Sequence, residues 1–101
     1  MVKHVVMFKM KIFASEEVLK RNVSLIFDEL NSLPELINEI KSFEVGINES
    51  ESARAYDLVL VSEFNDYASL KLYQDHPEHL KVVSLIKELT ENTIVVDYKM
   101  N

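Results

Sequence analysis

The run YDLVLVSEF, residues 56–64, sets Leu58, Val59, Leu60 and Val61 side by side. A strand alternates its side chains between two faces, so consecutive apolar residues predict a strand that needs apolar cover on both. Residues 2–11 share this feature: Val2, Val5, Val6, Met7, Phe8 and Met10 favour β structure and keep no sustained helical period. So do Ile94, Val95 and Val96 within TIVVDYK, residues 93–99. A fourth run differs, because Phe43, Val45 and Ile47 alternate with Ser42, Glu44 and Gly46, the pattern of a strand with one wet face. Three doubly apolar strands demand layers on both sides of any sheet they build.

The candidate layers are few. Ser15 is placed to cap a helix whose first turn carries Glu16 and Glu17, favourable at the positive end of the helix dipole. Leu19, Val23, Ile26, Leu30 and Leu33 then recur at spacings of four and three, an amphipathic stripe that ends near Pro34. The segment PELINEI is turn-like, and the polar NESESARA, residues 48–55, joins strands two and three as a hairpin with strand three central. Asn65 or Asp66 can cap a second helix through Leu70 and Tyr73, and another helical piece runs from Pro77 to about Leu89.

The resulting order is strand, helix, strand, strand, helix, strand. It predicts an α+β, ferredoxin-like βαββαβ fold over residues 1–101, one domain whose helices cover one face of a four-stranded antiparallel sheet. The other face would expose more apolar surface than soluble monomers usually carry. A homodimer packed sheet to sheet is therefore expected.

Composition narrows the function classes. With no Cys the chain has neither a disulfide framework nor a thiolate ligand or nucleophile. Eleven basic residues against 17 acidic ones give a net charge of −6, and the basic residues are scattered, so no nucleic-acid surface is expected. A single Gly leaves no phosphate-cradling loop and no cofactor is signalled. The opening MVKHVVMFKMK is interrupted by Lys3, Lys9 and Lys11 and lacks a small-residue cleavage site, so it reads as a strand rather than a leader. No apolar run approaches the ~20 residues needed to span a bilayer. The expectation is a cytoplasmic protein without a membrane partner.

One stretch carries possible chemistry. LYQDHPEHL, residues 72–80, holds Tyr73, His76, Pro77 and His79. Pro77 lacks an N–H and restricts the residue before it, so His76 is the expected break and Pro77 the first residue of a new helix. Across that break Tyr73 and His79 are free to face the sheet together. A histidine with an ordinary pKa of ~6.5 exchanges protons near neutral pH, and a tyrosine hydroxyl can polarise a carbonyl oxygen. The bland alternative is that the two satisfy each other or backbone groups. His4 shares its strand face with Val2, Val6 and Phe8, and a polar partner for it is expected from the Tyr73–His79 element. A metal is disfavoured, since Pro77 disrupts the helix that would align His76 with His79 and no further close ligand completes a tetrahedral site.

VKHVVMFKMK, YDLVLVSEFNDYASLKLYQDHPEHLKVV and VVDYK together resemble the stress-responsive A/B barrel (Dabb) family of dimeric α+β barrels over nearly the whole chain. The most specific part is His4 combined with Y-x-x-H-P-x-H, formed by Tyr73, His76, Pro77 and His79. The resemblance to the branch containing plant polyketide cyclases implies acid/base chemistry with Tyr73 polarising a substrate carbonyl and His79 as general base. His4 and Ile26 are the expected substrate-binding residues. Haem degradation, known in other dimeric α+β barrels, is disfavoured by the absence of Trp. Two readings stand: a small binder or enzyme taking an apolar or carbonyl-bearing molecule between sheet and helices, with cyclase- or lyase-like acid/base chemistry, and a non-enzymatic, stress-related binding or structural dimer whose Tyr and His are structural. Room for a ligand beside Tyr73 and His79 separates them.

Overall fold

The computed structural model describes residues 1–101. Strand β1 (Val2–Met10) leads into helix α1 (Glu16–Asn31), and a short 3-10 turn (Leu33–Glu35) precedes the hairpin of β2 (Ser42–Ile47) and β3 (Leu58–Phe64). Helices α2 (Tyr67–Asp75) and α3 (Pro77–Leu89) then run into β4 (Thr90–Lys99). The sheet is antiparallel throughout, in the order β2-β3-β1-β4, so β1 and β3 are central and the fold is ferredoxin-like, as the pattern predicts.

Local chemistry fixes the helix starts. The Ser15 hydroxyl accepts from Val18 N–H at 3.2 Å, and the Asp66 carboxylate accepts from Ser69 N–H at 2.7 Å. That second bond holds the Asp66 carboxyl below its ordinary range. Of the two candidates for the α2 cap, Asp66 is the one used. PELINEI is more structured than a plain turn: it begins inside the 3-10 turn, whose first residue Leu33 is buried in the core, as is Ile37 just after it. Strand β4 begins at Thr90, three residues before the apolar run that announced it, because Leu89 passes into it without a loop and Met10 pairs with Thr90 across a register shift.

The period of two sorts the sheet into faces. Val2, His4, Phe8 and Met10 of β1 and Leu58, Leu60, Ser62 and Phe64 of β3 are buried under the helices. Val23, Ile26 and Leu30 of α1, with Leu70, Tyr73 and Val82, close that core from above. On the opposite face Val5 and Met7 lie beside Val96 and Ile94 on one side and Val61 and Val59 on the other. Met7, Ile94 and Val96 are exposed there, with Val96 at 61%. No helix covers this face, which is the apolar surface the strand pattern implies. No helix of the chain is long and apolar enough to cross a membrane.

Candidate functional site

Strand β4 is the sheet edge that the helices leave bare. Val95 pairs with Val6 on the helix side yet is 56% exposed, because α1 lies toward β2 and α3 only skirts the edge. The gap is an open cavity of about 530 Å³ floored by Val6, Phe8 and Leu60 and walled by Leu30, Val83 and Ile86. Its mouth carries Lys87, Glu91 and Asn92. Tyr73, His79 and His4 all line it, so the two halves of the sequence motif, more than sixty residues apart, meet in one place.

Tyr73 is the centre of an aromatic cluster. Its ring lies 4.4 Å from that of His79, 5.0 Å from Phe64, 6.2 Å from His4 and 6.3 Å from Phe43, centroid to centroid. Tilted and edge-on pairs at such distances add about 0.5–1.5 kcal/mol each beyond the area they bury. The residue is 0% exposed, and its hydroxyl is the only buried side-chain polar atom without a hydrogen-bond partner. Tyr73 and His79 therefore touch as rings but do not satisfy each other. Burial pushes the phenol well above its ordinary range, so it stays protonated at neutral pH and can only donate or accept as a hydroxyl.

His79 is held differently. Its Nδ1 donates to the Gln74 carbonyl oxygen at 2.9 Å, an assignment that follows because a carbonyl only accepts. The neutral ring then has its lone pair on Nε2. Burial lowers the pKa of His79, partly opposed by that bond to Gln74, and this keeps the ring neutral at pH 7. His76 forms the break as expected: with ψ of 135° it ends α2 and caps α3, and its Nδ1 accepts from Glu78 N–H at 3.1 Å.

One expectation is corrected. His4 finds its polar partner not in the Tyr73–His79 element but in Asp97 of β4, whose Oδ1 lies 2.5 Å from His4 Nδ1. The register pairs His4 with Asp97 directly across the β1–β4 ladder. The one signal for Asp97 in the sequence was an acidic residue inside VVDYK. Ile26 does not line the cavity; it is 0% exposed and points into the core, whereas Leu30, one helical turn on, reaches the wall. No group of three or more His, Asp or Glu side chains is arranged to hold a metal ion.

A four-stranded antiparallel sheet with helices on one face defines the ferredoxin-like class of small α+β proteins. The chain belongs to the Stress responsive A/B Barrel Domain (Dabb) family, whose model matches residues 2–100. It is similar to a dimeric protein of unknown function with a ferredoxin-like fold from Bacteroides fragilis, at 30% identity and a TM-score of 0.89, covering 98% of this chain and 95% of that one. An uncharacterized protein of Streptomyces coelicolor is 27% identical over 99 residues, 98% of this chain and 99% of its own. The hydroxynitrile lyase of Passiflora edulis shares the fold, at 19% identity and a TM-score of 0.83, with coverage of 99% and 93%.

Proposed function

We propose that the cavity binds an apolar, carbonyl-bearing small molecule and acts on it by acid/base chemistry. The observation that carries this reading is the Tyr73 hydroxyl, fully buried, unpartnered and beside His79 in a cavity wall. Leaving such a group unsatisfied costs about 1–3 kcal/mol, a cost that a ligand oxygen would relieve. A ligand reaches it after a small shift of the half-buried His79 ring. In the bound complex Tyr73 donates to the carbonyl oxygen and stabilises negative charge developing there. His79 Nε2 takes the proton from the adjacent carbon, with Nδ1–H anchored on Gln74. His4, held by Asp97, lines the pocket, and the apolar floor takes the rest of the molecule.

The same reading includes a cytoplasmic homodimer joined through the open sheet face. Support comes from Val5, Met7, Val59, Val61, Ile94 and Val96 lying together there, and from relatives described as dimeric. A test of the site is titration of the ¹⁵N-labelled protein with nonane-2,4-dione, a 1,3-diketone with an apolar tail. The expected result is saturable shifts of the His79 ring and the Tyr73 amide that vanish in Tyr73→Phe. Shifts confined to the sheet face, or none at millimolar diketone, would leave Tyr73 and His79 with structural roles in a non-enzymatic dimer.

A further inference from the structure

The corner between α2 and α3 leaves the Gln74 carbonyl, among the last of α2, without its usual helical partner. In an unbroken helix the Gln74 oxygen would accept from the amide of residue 78, or from that of residue 77 in a tighter turn. Residue 77 is a proline and has no N–H. The amide of Glu78 is engaged by the His76 ring at 3.1 Å. Both helical donors are thus withheld, and the Gln74 oxygen instead accepts from His79 Nδ1 at 2.9 Å. The helix resumes beyond, with Leu80 N–H donating to the His76 oxygen at 3.0 Å, which brings His79 back over the end of α2.

We infer that the His76–Pro77 pair is a positioning element that fixes the tautomer of His79. By denying Gln74 its two backbone donors, the pair leaves that carbonyl to Nδ1–H and makes Nε2 the basic nitrogen of a ring that lines the cavity. The arrangement resembles the carboxylate or carbonyl that orients a histidine in other sites, with a helix break supplying the acceptor. Its catalytic meaning rests on the reading of His79 as a base, but the tautomer itself does not.

Long-range ¹H–¹⁵N NMR of the His79 ring at pH 8, in the full-length protein, tests the inference. The expected wild-type signature is a protonated Nδ1 and a bare Nε2; a majority Nε2–H tautomer overturns the proposal. His76→Asn, which keeps an N-cap acceptor and Pro77, retains that signature. The double variant His76→Ala/Pro77→Ala restores an amide at 77 and frees the one at 78, so the Nδ1–H form falls from majority to minority. Retention of the wild-type tautomer in the double variant also overturns it. If the double variant does not fold, Pro77→Ala alone is read against the same two outcomes. The two readings fail separately, since a correct tautomer with no diketone binding counts only against the acid/base role.

Discussion

Tyr73→Phe should make the protein more stable and less active at once. The substitution keeps the ring and its contacts to Phe64, Phe43, His4 and His79 and deletes only the hydroxyl. That hydroxyl is buried with no partner, so the folded state carries its desolvation cost of about 1–3 kcal/mol without a compensating bond. Removing it recovers that amount less a small term for the void left behind, a net gain on the order of 1 kcal/mol. For a chain of this size such a gain raises Tm by about 4–8 °C. Urea unfolding of wild type and variant, at one protein concentration so that dimer linkage is held fixed, measures the difference. A functional residue that costs stability is the expected signature of a site kept for a ligand. The reasoning fails if Tyr73→Phe is destabilised by about 0.5 kcal/mol or more, because the hydroxyl would then have a partner in solution.

Three further outcomes follow from the same geometry. Asp97→Ala leaves the buried His4 Nδ1–H without its acceptor, and the expected loss is about 1–3 kcal/mol in chemical denaturation, whereas a neutral result would mean that the pair contributes nothing. The folded pKa of His79 is lowered by burial, so the unfolded chain binds more protons on acidification; stability should fall as pH drops through and below the ordinary histidine value, and His79→Gln should flatten that slope in pH-dependent melting. Val96→Lys, on the β4 side of the open sheet face, should give a monomer by light scattering where the wild type is a dimer, while leaving the fold intact by circular dichroism, and an unchanged mass would move the interface elsewhere.

What the sequence made legible was local. Consecutive apolar residues at 58–61 mark β3 as central, Ser15 and the pair Asn65 and Asp66 mark helix starts, and Pro77 marks the break at His76. The pairing of His4 with Asp97 was not legible, because it depends on a ladder between residues 93 positions apart whose register no local pattern specifies. The stripe of α1 identifies its buried face but not which of its turns stands over the sheet edge, where Leu30 lies. The shared cavity of Tyr73 and His79 was half legible: their types and the break between them gave the possibility, and the bare β4 edge supplied the space. The unpartnered hydroxyl had no sequence signal at all, since it is defined by the absence of neighbours in three dimensions.

In the proposed function Tyr73 and His79 together move a proton at carbon beside a carbonyl. The most direct measurement is exchange of the central methylene protons of nonane-2,4-dione in D₂O, followed by proton NMR with and without protein. The expected result is exchange faster than the buffer rate, lost in both Tyr73→Phe and His79→Gln although the first variant is expected to be the more stable protein. Equal rates for wild type, the two variants and buffer alone, under conditions where the diketone is bound, would contradict it.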